Sequence, residues 1–219
     1  MITGSGKSGK KNFMRIMILS ALAGKSDVAV LDPPAGPLHA FSKVEGVSYL
    51  TTEDEIFDYF MNTLTPVFKE RNAIKQNLMK QDYEDIQIFE EQQKQKSLFL
   101  FITDLSWFLD LVYNSTHGMS GFIETLFAKG TLHNIYFVGI LSVDKKGTVS
   151  GYQAFQHFIQ DKNGIHFGGN TMKNSIMDFS YLTFQEQNKV QKPGIGLLPD
   201  LAGEHPVEKI VVPAVKKVK

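Results

Sequence analysis

The sequence contains no cysteine, only two arginines and one tryptophan, and no excess of charge of either sign. Without cysteine, disulfide bonds and thiolate zinc sites are excluded. Lysine and arginine together number 23, as do aspartate and glutamate, so the strongly basic surface typical of DNA-tracking proteins is not expected. Because Arg15 and Arg71 are the only arginines, bidentate recognition of phosphate by guanidinium groups is scarce.

Long apolar runs, metal-ligand spacings and nucleophile motifs are also missing. No run approaches the ~20 apolar residues that span a bilayer, and the longest apolar helix candidate, residues 13–23, is interrupted by Arg15. The six histidines show no H-E-x-x-H spacing, and no G-x-S-x-G motif occurs. The composition, 42% hydrophobic over 219 residues, predicts one globular domain over residues 1–219. Because the chain begins in the middle of what reads as a strand, we expect a fragment of a longer multi-domain chain.

The glycine-rich segment near the start is the most informative motif. Met1-Ile2-Thr3 reads as the end of a strand, Gly4-Ser5-Gly6-Lys7-Ser8-Gly9-Lys10-Lys11 follows, and a helix is expected to open at Asn12. The segment matches the phosphate-binding pattern G-x-x-x-x-G-K-[ST] except at Lys11, where Ser or Thr would ligate Mg²⁺. Glycines let backbone N–H groups turn towards a phosphate, and a helix N-terminus adds partial positive charge. We therefore predict that residues 4–12 form a cradle for a nucleotide phosphate.

A second register of this loop is also open. Gly4-Ser5-Gly6-Lys7-Ser8 contains a complete Gly-Lys-Ser, but the first glycine of the pattern would then fall at Met1. That register also puts Gly9 inside the first helical turn, where glycine is unfavourable. We prefer the register that ends at Lys10-Lys11. The alternative of a meaningless Gly/Ser stretch is opposed by the apolar helical face directly after it.

A second motif is an apolar strand that ends in a carboxylate, Ser97-Leu98-Phe99-Leu100-Phe101-Ile102-Thr103-Asp104. In phosphate-loop NTPases an aspartate in this place is the Walker B residue, which orders water around Mg²⁺. The next residue, where a catalytic glutamate would activate water, is Leu105. Asp104 can instead cap the helix expected over residues 105–113, and the two roles can coexist.

Ser142 follows a further apolar strand, residues 135–141, and is a candidate sensor of the terminal phosphate. A capping box at Thr52 and Glu55 predicts a long helix that Pro66 should interrupt. The other expected elements are strands at 28–31 and 47–50, a short parallel strand and turn at 165–169, and helices at 121–129 and 148–160. We also expect a solvated helix within 81–96 anchored by Ile86, Ile88 and Phe89, an edge hairpin of 193–197 and 208–212, and a frayed basic tail at 216–219.

The alternation of short apolar strands with helices predicts an α/β domain with a mostly parallel central sheet flanked by helices. In such a sheet, ligands bind in a crevice at the carboxyl ends of the strands. The loop, Asp104 and Ser142 all come directly after strands. We therefore expect them to meet at one edge of the sheet.

The loop with its flanks from Ile2 to Arg15, the strand ending at Asp104 and the closing Pro193-Gly194-Ile195-Gly196 together resemble the C-terminal ATPase module of FtsK/SpoIIIE-type motors. More narrowly, the chain resembles the last of the tandem ATPase modules of the EssC coupling proteins of type VIIb secretion systems. The resemblance implies a RecA-like P-loop NTPase fold, ATP as the ligand, and a cytoplasmic domain of a motor anchored in the cell membrane. It also implies neighbouring ATPase modules, hexameric assembly of the parent and secreted helical-hairpin substrates of the WXG100 type. The neutral charge and the two arginines lead us to expect no nucleic acid among the partners.

Two departures from the family pattern bear on activity. Lys11 would repel Mg²⁺ by like charge, and Leu105 removes a water-activating group, a loss that commonly costs about 10²–10⁴-fold in rate. Asp104 remains the one candidate metal ligand, no residue is assigned as catalytic, and Arg15 and Arg71 are the candidates for an arginine finger. We therefore expect a catalytically weak or inactive module that recognises substrates and regulates protein export.

Two other functions fit the same sequence. One is an active ATP-hydrolysing translocase module whose catalytic groups are completed by a neighbour in an assembled ring. The other is a DNA translocase module, suggested by the superfamily but opposed by the zero formal charge and the two arginines.

Overall fold

A computed structural model of the protein describes residues 1–199 and 207–213. The strands are β1 (Ile2–Gly4), β2 (Asp27–Leu31), β3 (Val47–Leu50), β4 (Leu98–Ile102), β5 (Ile135–Ser142), β6 (Ile165–Gly169), β7 (Gln191–Pro199) and β8 (Val207–Val211). The helices are α1 (Lys10–Ala23), α2 (Glu53–Tyr59), α3 (Thr65–Lys80), α4 (Asp85–Gln93), α5 (Leu105–Asn114), α6 (Ser120–Lys129), α7 (Lys146–Val149), α8 (Gln153–Ile159) and α9 (Phe184–Asn188). The basic tail expected at residues 216–219 lies outside the described residues.

The described strands form one eight-stranded sheet in the order β3-β2-β4-β5-β1-β6-β7-β8. Strands β1 to β6 run parallel, and β7 and β8 close one edge as an antiparallel hairpin. The predicted α/β architecture with a mostly parallel sheet is confirmed. Strand β5 lies between β1 and β4, so the loop after β1 and the carboxylate after β4 stand one strand apart at the same edge.

The sheet is buried on both faces, as continuous apolar strands in parallel sheets require. Val28 and Val30 of β2 pack on the face covered by α1. Ala29 and Leu31 alternate to the other face, against helices α2, α5, α6 and α8. Each fully buried Leu, Val or Phe contributes about 1.5–3 kcal/mol relative to exposure. These two apolar layers therefore fix the positions of the strand ends much more firmly than any surface ion pair.

The first helix begins at Lys10, two residues earlier than predicted. The reason is that Gly9, with φ 108°, already makes the turn out of the loop and precedes the first helical residue. The last two residues of the motif are therefore also the first two residues of α1. Their side chains project from the helix N-terminus, where the backbone N–H groups have no partner within the helix.

The helix predicted over residues 148–160 is wrong in its continuity. The structure has two short helices there, α7 and α8, separated at Ser150, Gly151 and Tyr152. Tyr152 is extended, with φ −83° and ψ 128°, and Gln156 Nε2 donates to Ser150 O at 2.7 Å. Glycine is unfavourable in a helix interior by about 1 kcal/mol, which explains a break at this point.

The long helix after the capping box is interrupted as predicted. Thr52 and Glu55 form the capping box, and a π-helical turn at Phe60–Leu64 joins α2 to α3, with Pro66 in the first turn of α3. In the polar helix α4 the buried residues are Ile88 and Gln92, and the expectation that Ile86 and Phe89 also anchor it is wrong, because both are exposed. In the described parts of the chain, no helix has the length and hydropathy needed to cross a bilayer.

Candidate functional site

A cleft of about 530 Å³ opens at the carboxyl ends of the parallel strands, a size typical of small-ligand sites. Apart from Gly4, every nucleotide- or metal-binding residue predicted from the sequence lines this cleft. Its lining consists of Ser5, Gly6, Lys7, Ser8, Gly9, Lys10, Lys11, Asn12, Arg15, Pro33, Pro37, Thr103, Asp104, Ile140 and Ser142. Gly4 lies at the end of β1, and its register partner in β5 is Ser142.

The entry to the loop is fixed by contact with β6. Ser5 N donates to Phe167 O at 3.1 Å. Gly4 has φ 136°, and a Cβ built on it would lie 1.8 Å from Phe167 O, so no other residue fits there. The chain therefore leaves β1 in one direction only, across the end of the sheet.

The exit from the loop is fixed by the β7–β8 hairpin. Gly194 N donates to Ser8 O at 2.8 Å, and a Cβ on Gly9 would lie 3.0 Å from Gly194 N. Val212 N in turn donates to Gly194 O at 2.8 Å. The closing Pro-Gly-Ile-Gly segment, noted in the sequence only for its family likeness, thus braces the end of the loop.

Lys10 folds its side chain back into the loop. Its Nζ donates to Ser5 O at 2.7 Å and also to Gly4 O. Burial lowers the pKa of Lys10 to about 8, an effect that Asp144 opposes and Lys11 reinforces. The amine is therefore still mostly protonated at neutral pH and places a buried positive charge at the base of the cleft.

The first turns of α1 line the rest of the cradle. Lys11 is exposed on the cleft side. Asn12 Nδ2 donates to Pro213 O at 2.6 Å, a second tie between α1 and the segment after β8. Arg15 Nη2 donates to Pro37 O at 3.1 Å across the cleft.

Asp104 lies at the N-terminus of α5 and caps this helix. Helix capping was one of the two roles predicted for it. Its Oδ1 accepts from Ser106 N at 3.1 Å, Ser106 Oγ at 2.5 Å and Trp107 N at 3.2 Å. Its Oδ2 accepts from Lys145 Nζ at 2.8 Å. Burial alone would raise the pKa of this carboxyl, but the hydrogen bonds from Lys145, Ser106 and Trp107 outweigh it and hold that pKa below its usual value.

Lys145 is the residue that sequence reasoning missed. It ends the 3₁₀ turn Val143–Lys145 directly after β5. The strand-end argument that selected Ser142 applies equally to the three residues that follow, so the signal was present. Leu105, in the place of a catalytic glutamate, is fully buried in the core below α5.

A second buried carboxylate, Asp32, supports the cleft from below. It directly follows β2 and accepts hydrogen bonds from Leu38 N at 2.8 Å, from Tyr49 OH at 2.7 Å and from Thr103 Oγ1. Burial, followed by the hydrogen bond and charge of Asp32, raises the pKa of the Tyr49 phenol. Asp32 therefore orders the loop after β2 and the residue before Asp104, and its own oxygens are engaged.

The expectation that Arg71 could serve as an arginine finger is wrong. Its side chain is buried, and it donates to His133 O at 2.6 Å, Asn134 O at 3.1 Å and Lys96 O at 2.5 Å. This residue joins α3 to the chain segments that lead into β4 and β5. It has a structural task remote from the cleft.

Comparison with solved structures identifies the fold. The cytoplasmic domain of EssC aligns over 98% of this chain with a TM-score of 0.75 at 15% identity, and EccC (ATPases 2 and 3) of Thermomonospora curvata, in complex with a signal sequence peptide, over 98% with 0.64 at 14%. The pCW3 conjugation coupling protein TcpA, in its monomer form with ATPgS, aligns over 98% with 0.68 at 15%. The chain has the fold of P-loop ATPase domains.

The likeness is one of fold and covers only part of each neighbour. The chain spans 39% of the EssC structure, 36% of the EccC structure and 60% of the TcpA structure. No protein-family model matches the sequence, and no curated protein matches it.

The residues of the cradle fit the phosphates of a nucleotide, which this ATPase fold implies. Lys10 and Lys11 supply positive charge, and the N-terminus of α1 faces the same cleft. Ser8 Oγ is buried, and no hydrogen-bond partner for it occurs among residues 1–199 and 207–213. A buried hydroxyl without a partner is unfavourable, and a phosphate oxygen would accept a hydrogen bond from it.

The same residues do not fit Mg²⁺. This hard cation prefers oxygen ligands in octahedral geometry, and proteins bind it through one or two carboxylates. Lys11 has no ligating oxygen in its side chain, and Asp104 is already engaged by Lys145 and by the N-terminus of α5. No group of three or more His, Asp or Glu side chains that could hold a metal occurs in the part of the chain that the structure describes.

Proposed function

We propose that this chain is an ATPase-like module of a protein-secretion motor that binds a nucleotide and hydrolyses it weakly or not at all. The proposal is supported by the shared fold with EssC, EccC and TcpA domains together with the chemistry of the cleft. The observation that carries it is the combination of a preserved phosphate cradle at Lys10 with a fully engaged carboxylate at Asp104. The module would thus contribute binding and control.

The weak-hydrolysis part of the proposal follows from what catalysis of phosphoryl transfer needs. Such catalysis depends on positioning and on stabilising charge with metal ions. The side chain after Asp104 is a buried leucine, Asp104 is paired with Lys145, and Arg71 cannot reach a phosphate. Together these features remove the water-activating group, the metal ligand and one of two arginines.

The recognition part of the proposal concerns partners. EccC (ATPases 2 and 3) was solved with a signal sequence peptide, so an ATPase domain of this fold can bind a secreted segment. We propose secreted helical-hairpin proteins of the WXG100 type as substrates of this module. We also propose that it acts beside further ATPase modules, in a membrane-anchored and hexameric parent.

The direct test measures nucleotide binding and turnover on the purified chain. Calorimetric titration with ATP should show binding that Lys10→Ala weakens by about tenfold or more, since a buried charged hydrogen-bond donor is lost. Lys7→Ala removes an exposed lysine from the same loop and is the matched control, with a smaller expected loss. Turnover should stay near background with and without Mg²⁺. Robust Mg²⁺-dependent hydrolysis by the wild-type chain would reject the weak-hydrolysis part.

A separate test addresses the register of the loop and the partners. Lys11→Thr restores a hydroxyl where Mg²⁺ would be ligated, so Mg²⁺–ATP should bind more tightly to this variant than to the wild type. An unchanged affinity would count against the register.

Co-purification of candidate helical-hairpin secreted proteins with the chain tests the proposed recognition of substrates, and the absence of binding to any of them would contradict it.

A further inference from the structure

We propose that the cleft binds its nucleoside di- or triphosphate without a divalent cation, with the Lys145 ammonium in the role that Mg²⁺ has in active relatives of this fold. The inference rests on the proposed nucleotide binding and specifies the form of the ligand. It starts from one contact, Lys145 Nζ to Asp104 Oδ2 at 2.8 Å, which neither the motif nor the fold requires.

The first step of the argument is the state of the carboxylate. Asp104 Oδ1 accepts three hydrogen bonds at the start of α5, and Oδ2 accepts the ammonium of Lys145. A metal, or the water around it, would have to displace one of these donors. Lys145 already satisfies the negative charge that would otherwise attract the cation.

The second step is the balance of charge in the cleft. Its lining contains the cations Lys7, Lys10, Lys11 and Arg15 against the single carboxylate of Asp104. Asp144, which acts electrostatically on Lys10, offsets part of this excess. Since the whole chain has zero formal charge, the excess of positive charge is local to the site.

This local charge selects between two forms of one ligand. A triphosphate without Mg²⁺ carries two more negative charges than its magnesium complex, so a cationic cleft attracts the metal-free form more strongly. The added cation would also be repelled by the ammonium of Lys11, which lines the cleft, and by that of Lys145, which is bonded to Asp104. The site is therefore matched to the polyanion itself.

The third step concerns how easily the Lys145 ammonium can change its hydrogen-bond partners. The side chains of Lys145 and Asp104 are 48% and 32% exposed, and ion pairs at such exposure add little to the stability of a fold. Because an ammonium has three N–H donors, Lys145 can shift towards a phosphate oxygen and donate to it while keeping Asp104 as a partner. Lys145 lies three residues after Ser142, in the turn that follows the strand bordering β1.

The experiment compares ATP binding by calorimetry in EDTA and in millimolar Mg²⁺ for the wild type and two variants. Lys145→Ala leaves Asp104 uncompensated. Lys146→Ala is the matched control, because Lys146 is the next residue and donates to Ser175 Oγ, whereas Lys145 donates to Asp104. Thermal unfolding of each variant checks that it is folded.

The wild type is expected to bind ATP in EDTA at least as tightly as in Mg²⁺. Lys145→Ala should weaken binding in EDTA by about tenfold, and Mg²⁺ should restore most of the loss, while Lys146→Ala should behave as the wild type. Wild-type binding that needs Mg²⁺, or a folded Lys145→Ala with wild-type affinity in EDTA, would overturn this inference but leave the proposed nucleotide binding intact. Absence of binding under both conditions would overturn both.

Discussion

Lys145 Nζ lies 2.8 Å from Asp104 Oδ2, although 41 residues separate the two along the chain. They meet because β4 and β5 are neighbours in the sheet and both residues closely follow the ends of their strands. Asp104 therefore has two roles at once: it caps α5, and it accepts a hydrogen bond from the ammonium of Lys145. This double engagement separates the present site from an open metal-binding carboxylate.

The two engagements of Asp104 can be separated by substitution. Asp104→Asn keeps an oxygen for the N–H groups of Ser106 and Trp107 but removes the charge, so stability should fall by less than about 1 kcal/mol, whereas Asp104→Ala should cost about 1–2 kcal/mol. Asn should also release Lys145 to phosphate and raise metal-free ATP affinity by up to about fivefold. Urea unfolding and calorimetry measure these changes. A strong loss of ATP affinity in Asp104→Asn that occurs only in the presence of Mg²⁺ would instead indicate a metal-ligating carboxylate.

The brace between the hairpin and the loop is tested at Gly194. Its φ is 84°, so Gly194→Ala should cost about 1–3 kcal/mol of unfolding free energy and should also weaken ATP binding, because the bond to Ser8 O is disturbed. Gly118→Ala is the control, since Gly118 has φ 67°, open space around it and no contact with the cleft. It should lose similar stability and keep its ATP affinity. Equal ATP affinity in the two variants would show that the hairpin does not contribute to ATP binding.

Arg71 is expected to be a stability residue. Arg71→Lys loses the planar fork that reaches the carbonyls of His133, Asn134 and Lys96, and it should cost about 2–4 kcal/mol of unfolding free energy. Arg15→Lys, which disturbs one half-buried bond to Pro37 O, should cost less than about 1 kcal/mol. Chemical denaturation at pH 7 compares the two. A loss of less than about 1 kcal/mol in Arg71→Lys would show that water or neighbouring side chains replace the guanidinium as hydrogen-bond donor to these carbonyls.

Stability should fall as the pH falls from about 6.5 to about 4. Burial, with the charges of Lys75, Arg71 and Lys129, lowers the pKa of His133 to about 4, and burial with Lys10 lowers that of His166 to about 4. Because both pKa values are depressed in the fold, the unfolded chain binds more protons in this range, and each imidazole should contribute a slope of about 1.4 kcal/mol per pH unit.

The slope is measured by urea unfolding at several pH values. His166→Gln should reduce it by the share of one imidazole while keeping a polar group near Thr3 and Asn174, to which His166 Nδ1 is bonded. A slope that does not change in this variant would mean that His166 is not protected from protons in the folded protein.

Several elements could be predicted from the sequence because their signals are local. The period of apolar residues, the capping box of Thr52 and Glu55, and the interruption at Pro66 act between residues close in the chain. The cap at Asp104 is of the same kind, since its partners are two and three residues further on. The predictions of the start of α1 and of one continuous helix over 148–160 are wrong, because the backbone angles of Gly9 and Tyr152 decide these boundaries.

The sequence by itself determined the α/β class, the glycine-rich turn before α1 and the strand-end position of Asp104, since each depends on neighbours along the chain. Only the tertiary structure decided that Arg71 is buried far from the cleft, that Gly194 supports Ser8, and that Lys145 pairs with Asp104. The physical reason is that strand order fixes which ends become neighbours. Hydrophobic burial on both faces of the sheet sets that order, and the polar contacts at its edge follow from it.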